Sequence, residues 1–186
     1  MGTMQRGSLI CITGLAGSGK TTLANELESQ LIKLNKKVLH LTSDNVGEHL
    51  FSEKYLQMLN DISVDYSSEE LKTIYNGLYM AFEQILKNSP ETIIITDGMY
   101  RKASMRLMLR IIAAKLDLPF HLIKVETDVD SAKNRLGLRS KDGGIGGWVD
   151  PLEYEEPKDK DLIKISNNTS LDYFKNNTAF ILHRIT

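Results

Sequence analysis

A chain of 186 residues with 41% apolar and 25% charged side chains suffices for one well-packed soluble domain and is too short for two comfortable ones. Its formal net charge of −1 argues against an extended nucleic-acid surface, which needs clustered Lys and Arg in excess. One cysteine, Cys11, rules out an internal disulfide, no apolar run nears the ~18 residues of a membrane span, and no signal-like segment opens the sequence. A cytoplasmic protein away from membranes is therefore expected, with residues 1–186 forming one domain.

The first element in chain order is an apolar run, Ser8–Thr13, which reads as a strand. Cys11 lies inside it, where a buried inert thiol is expected rather than a nucleophile. Next comes Gly14-Leu15-Ala16-Gly17-Ser18-Gly19-Lys20-Thr21, which fits the phosphate-binding pattern G-x-x-x-x-G-K-[S/T]. The position between a strand and a helix is what the chemistry requires. Glycines let main-chain N–H groups converge on phosphate oxygens with no Cβ in the way. The helix that follows adds unpaired donors and the positive end of its dipole. In such a loop Lys20 reaches the β- and γ-phosphates and the Thr21 hydroxyl binds Mg²⁺. Gly14, Ala16, Gly17, Ser18, Gly19, Lys20, Thr21 and Thr22 are thus the expected ATP-binding residues.

A helix over about Lys20–Leu34 places Leu23, Leu27, Leu31 and Leu34 on one face. A second strand, Val38–Leu41, leads into Thr42-Ser43-Asp44-Asn45, and Val46–Asn60 reads as irregular or weakly helical. Ser67 with Glu70 three residues on signals the start of a helix that runs to about Lys87. The β-branched run Thr92–Thr96 reads as a strand buried on both faces, closed by Asp97-Gly98. A helix (Lys102–Leu116), a strand (Phe120–Val125) and a short helix (Asp128–Leu136) follow. A glycine-rich charged loop then occupies about 137–159, before a fifth strand (Leu162–Ile165) and a closing helix (Ser170–Ile185). Strands separated by helices of ten or more residues pair in parallel through right-handed crossovers. The fold class is α/β: a three-layer α/β/α domain on a five-stranded parallel sheet. Ligands in such sheets sit beyond the carboxyl ends of the strands, so the loop, Asp44 and Asp97 should share one rim.

Asp44 and Asp97 are the acidic candidates for phosphoryl transfer. Each can hold the metal, usually through water, or take the proton of a substrate hydroxyl, and the bland alternative is a turn or cap residue. Thr21 and Asp97 form the candidate metal pair. Arg101, four residues past Asp97, can reach the same rim, whereas Arg106 reads as a solvated helix residue. Arg135 and Arg139 flank Gly137; arginines on a lid can neutralise phosphate charge and exclude water, and the alternative is two surface arginines. Trp148 either stacks on a base or packs structurally. His40, His49, His121 and His183 show no metal-ligand spacing and receive no role.

The run Ile12–Ala24, then Ser43-Asp44-Asn45-Val46, Tyr100-Arg101, and the segment from Asp150-Pro151 to Tyr154-Glu155-Glu156-Pro157 together resemble adenylylsulfate kinase and its small P-loop kinase relatives. The resemblance implies a P-loop kinase fold with a flexible lid, ATP and Mg²⁺ as cofactors, and a small, nucleotide-linked acceptor. It places Asp44 beside the acceptor hydroxyl; from their own positions, Asn45, Asp97 and Arg101 are expected on the substrate side, Lys20, Arg101 and Arg135 as catalytic charges, and Arg139 over the nucleotide. The chain departs from that family at Gly47 and at Tyr55-Leu56, where the family carries arginines that grip its anionic substrate, and at Asp97, where the family is usually apolar. The expected activity is ATP-dependent phosphorylation of a small acceptor. True adenylylsulfate kinase, a polynucleotide-end kinase and, from another class, a nucleotide-switch NTPase are the rivals, and a homodimer stays open.

Overall fold

A computed structural model describes residues 6–43, 45–46, 69–141, 154–168 and 171–185. Its elements are β1 (Ser8–Thr13), α1 (Lys20–Lys33), β2 (Val38–His40), α2 (Glu69–Asn88), β3 (Ile93–Asp97), α3 (Ala103–Lys115), β4 (Phe120–Glu126), α4 (Val129–Lys141), β5 (Ile163–Ser166) and α5 (Leu171–Ile185). The five strands form one parallel sheet in the order β2-β3-β1-β4-β5. This is the three-layer α/β/α architecture that the alternation of elements predicts.

Why the chain layers this way is visible in β1. All six of its residues are buried, and alternate ones point to opposite faces. Leu9 and Cys11 pack with Ile74, Leu78 and Phe82 of α2 and Leu109 and Ile112 of α3. Ile10 and Ile12 pack with Leu23, Leu27 and Leu31 of α1 and Ile181 of α5. A strand with helices on both faces has no use for a polar alternate, hence the continuous apolar run. Cys11 is fully buried, and that burial pushes its thiol pKa far above the ordinary range against the opposing pull of Arg106, so it is inert.

Two helices end in the same way. After α1, Asn35 adopts a φ of 56° and the Lys36 N–H returns to Leu31 O at 3.1 Å. After α3, Asp117 adopts a φ of 54° and the Leu118 N–H returns to Ala113 O at 2.9 Å. This left-handed cap normally takes glycine; Asn and Asp are the side chains that tolerate it best. Each cap turns the chain sharply back toward the sheet, at β2 and β4 respectively.

The structure corrects two expectations. Gly137 does not begin a loop: α4 continues through it to Lys141. Leu136 remains buried one residue earlier, nothing crowds a Cβ at Gly137, and one glycine inside a helix costs only about 1 kcal/mol. The rest of the expected lid up to 153, including Trp148, lies outside the described residues, as do Ser67 and most of 46–60. Arg106 is not solvated either. It is buried on α3 and donates from Nη1 to Tyr100 O (2.6 Å) and from Nη2 to Glu155 O (2.7 Å). It therefore clamps a main-chain segment late in the chain to the loop after β3.

His121 on β4 has its Nε2 buried with no hydrogen-bond partner among the described residues. Burial lowers its pKa from 6.5, Arg184 adds to the shift and Asp161 opposes it. The unfolded chain then takes up the proton first, so this residue costs stability as pH falls from about 6.5 toward its lowered folded value. Urea titrations at pH 7.5 and 5.5 should show a smaller acid-induced loss in His121→Leu than in the wild type. An equal loss in both would mean that His121 contributes nothing to the slope.

Candidate active site

The loop after β1 is shaped by backbone that only glycine supplies cheaply. Gly14, Gly17 and Gly19 have φ angles of 148°, 76° and 96°. A Cβ on Gly14 would sit 2.5 Å from Val125 O of β4, and one on Gly17 would sit 2.4 Å from Ala132 O of α4. Gly19 is the N-cap of α1 in left-handed geometry, and no side chain caps the helix. As a glycine, this N-cap has no side chain to fill the mouth of the first turn, an arrangement that suits an anion there. Ser18 Oγ is buried with no partner among the described residues. Lys20 is largely buried and its Nζ donates to Leu15 O at 2.8 Å, an ammonium folded across the mouth of the loop. Such a cradle of amides, hydroxyl and ammonium fits a polyphosphate.

Beside it stands a hydrogen-bond chain. Thr21 Oγ1 donates to Asp97 Oδ2 at 2.7 Å, His40 Nε2 lies 2.6 Å from Asp97 Oδ1, and His40 Nδ1 lies 3.8 Å from Glu28 Oε2. The sheet brings these together: Ile12 of β1 pairs with Asp97, and His40 of β2 pairs with Ile95. Asp97 is buried at the carboxyl end of β3. Burial opposes charge on His40, yet the hydrogen bond and attraction of Asp97, helped by Glu28, raise its pKa above 6.5. A hydroxyl next to a carboxylate is a hard-oxygen pair suited to Mg²⁺, which commonly takes one or two protein ligands and keeps several waters. No group of three His, Cys, Asp or Glu with metal-binding geometry occurs among the described residues.

The other expected site residues divide. Arg101 lies on the same rim, between β3 and α3, where its carbonyl accepts the Glu155 N–H at 2.8 Å. Arg135 on α4 reaches the back of the loop: Nη2 donates to Asn167 O at 2.7 Å, with Nη1 3.5 Å from Gly17 O. Arg139 follows one turn later on α4, with its side chain outside the described residues. Asp44 also lies outside them. Its neighbour Asn45 is engaged with Thr42, which accepts the Asn45 N–H at 3.1 Å and donates to Asn45 Oδ1 at 2.8 Å. Thr42 therefore supplies the cap of this turn.

Three residues at the site escaped sequence reasoning. His40 carried only the weak signal of a polar residue closing a strand. Asn167 sits one residue past β5 and donates from Nδ2 to Ser18 O at 2.7 Å. Tyr154 lies with its OH 3.0 Å from Thr13 Oγ1, which itself donates to Met99 O at 2.5 Å. The segment after the expected lid is thereby tied to the last residue of β1 and to the loop after β3. Burial, which the hydrogen bond to Thr13 and the charge of Arg106 oppose, pushes the Tyr154 hydroxyl up to about 12, so it stays protonated.

A strand, a glycine loop and a helix at the centre of a parallel sheet, with a carboxylate from the adjacent strand against the loop threonine, define a P-loop domain. Residues 9–149 match the AAA domain family, and the chain belongs to it. Sequence comparison further relates it to adenylyl-sulfate kinases. That of Bacillus velezensis is 25% identical over 185 residues, covering 94% of this chain and 88% of that protein. Among solved structures, the Mycobacterium tuberculosis APS kinase CysC, in complex with AMPPNP and APS, superposes with a TM-score of 0.68 at 20% identity over 96% of this chain and 99% of that one. Kti12 of Chaetomium thermophilum, in complex with ADP-AlF3, gives 0.72 at 21% identity, again over 96% and 99%. No helix among the described residues is long and apolar enough to cross a membrane.

Gly17→Ala should displace the loop, because the new methyl meets Ala132 O and the φ of 76° disfavours any side chain. A loss of about 1–3 kcal/mol in urea unfolding is expected. Unchanged stability would mean that the loop does not bear on α4.

Proposed function

We propose that this chain is an ATP- and Mg²⁺-dependent kinase that moves a γ-phosphoryl group to a hydroxyl of a small, nucleotide-linked acceptor. The observation that carries the proposal is the contact of Thr21 with Asp97 at the mouth of a glycine loop, in a chain related to adenylyl-sulfate kinases. In the transfer, the acceptor oxygen bonds to the γ-phosphorus, the bond to the β–γ bridging oxygen breaks, and ADP leaves. The acceptor proton passes to a carboxylate. Mg²⁺, when bound, would supply neutralisation of the phosphate charge.

Thr21 and Asp97 would hold the metal. The loop amides and Lys20 would bind the phosphates and stabilise the charge that builds on the leaving ADP. Two observations favour Asp44 over Asp97 as the base. Both Asp97 oxygens already have close partners, Thr21 and His40, which commits that carboxylate to the chain of contacts beside the loop. Thr42 caps the turn at Asn45, so Asp44 is not needed there. Arg101 would approach the acceptor from the loop after β3, and Arg139 the nucleotide from the end of α4.

A second reading, true adenylylsulfate kinase, draws support from the Bacillus relative, which aligns over 94% of the chain. Against it stand Gly47 and Tyr55-Leu56, where the arginines that grip the anionic substrate of that family are missing. The net charge of −1 offers little to a polynucleotide.

The deciding experiment measures ADP release with Mg·ATP alone and with a panel of nucleotide-linked and other small hydroxylated acceptors, adenylylsulfate included. At least one acceptor should stimulate turnover strongly. Lys20→Ala should lower turnover about 100-fold or more. Asp44→Asn should lower it about 100-fold while leaving ATP affinity near that of the wild type. Normal turnover in Asp44→Asn would remove that residue from the mechanism. ADP release that no acceptor stimulates, together with partner binding that follows nucleotide state, would replace the kinase with a switch.

A further inference from the structure

A phosphate loop works only when its peptide planes face the right way. In a trans peptide the C=O and the next N–H point in opposite directions. A donor that grips a loop carbonyl from behind thus aims the following N–H forward. Asn167 is placed to do this. Its buried Nδ2 donates to Ser18 O at 2.7 Å, so the Gly19 N–H points away from Asn167. Gly19 is the N-cap of α1 and carries no side chain of its own to cap the first turn.

Asn167 is itself fixed at three points. Its N–H donates to Glu126 O of β4 at 2.8 Å, its carbonyl accepts from Arg135 Nη2 at 2.7 Å, and its amide holds Ser18. Arg135 Nη1 lies 3.5 Å from both Gly17 O and Thr127 Oγ1, too long for good hydrogen bonds but enough to place the guanidinium behind the turn. A residue so held is pre-organised, and the loop does not have to reorient when an anion arrives.

We propose that Asn167, supported by Arg135, is a positioning residue that orients the Ser18–Gly19 peptide of the phosphate cradle. The proposal rests on the phosphate-binding half of the kinase reading and not on the acceptor. It gives Arg135 a part behind the loop instead of a charge over the transferred group. Asn167 then acts on binding of the polyphosphate and not on the nucleoside.

The test compares the full wild-type chain with Asn167→Ala and with Asn167→Asp, which keeps the shape but turns an oxygen toward Ser18 O. The probes are ATP, inorganic tripolyphosphate and adenosine, with affinities by calorimetry and melting temperatures recorded in parallel. Asn167→Ala should weaken ATP and tripolyphosphate by the same factor, about tenfold, and leave adenosine unchanged. Asn167→Asp should weaken both at least as much. In ¹H–¹⁵N spectra the Gly19 amide should shift on adding tripolyphosphate in the wild type and shift less in either variant. Weaker ATP binding with tripolyphosphate unaffected would make Asn167 a nucleoside contact and overturn the proposal. A lower melting temperature with both affinities intact would leave it a purely structural residue, with the same consequence. A wild-type chain that binds neither polyphosphate would bring down the phosphate-binding reading itself.

Discussion

Two carbonyl oxygens leave no room for a Cβ at Gly14 or at Gly17 in the loop that follows β1. Val125 O stands where a Cβ on Gly14 would go, and Ala132 O where one on Gly17 would go. The chain can pass between β4 and α4 only as glycine, in φ regions that would cost other residues about 1–2 kcal/mol each. That close approach suits a concave side lined by main-chain N–H groups beside the Ser18 hydroxyl and the Lys20 ammonium. It also fixes where α1 starts, since Gly19 turns directly into its first residue, Lys20. The central position of β1, between β3 and β4, surrounds the loop with the ends of other strands.

From those neighbours come the charges. Asp97 at the end of β3 meets Thr21 from α1 and His40 from β2, so one buried carboxylate joins three elements. Its partners satisfy it on both oxygens, as a buried anion requires. The raised pKa of His40 belongs to the same arrangement: a partly buried imidazole gains more from Asp97 and Glu28 than burial takes away. On the far side, Tyr154 and Arg106 tie the segment after residue 153 to Thr13 and to the loop after β3. The ends of β1 and β3 are thus linked to the segment after residue 153 through the side chains of Tyr154 and Arg106.

Much of this was legible in the sequence because it depends on local pattern. The five strands and their helices follow from apolar runs and 3.6-residue spacing, and the glycine loop from a motif whose spacing has a mechanical reason. The placing of Thr21 and Asp97 on one rim also follows, since the glycine loop that leads to Thr21 leaves the carboxyl end of β1 and Asp97 ends β3. His40 and Asn167 were not legible. Each acts through a partner far away in the chain, 57 residues for His40–Asp97 and 149 for Asn167–Ser18. Such contacts follow from strand order, which the sequence alone did not supply. Arg106 misled for the opposite reason: an arginine on a helix is usually solvated, and only the Tyr100 and Glu155 carbonyls explain its burial. Gly137 misled because glycine is a strong break signal, and packing of Leu136 overrode it.

If the amides after β1 hold a polyphosphate chain beside the Thr21–Asp97 pair, nucleotide must bind there. Isothermal titration of the folded full-length chain with Mg·ATP tests it most directly. Saturable binding at one site per chain is expected, weakened when Mg²⁺ is withheld and lost in Lys20→Ala. Folded protein that gives no binding signal with either Mg·ATP or Mg·GTP would contradict it.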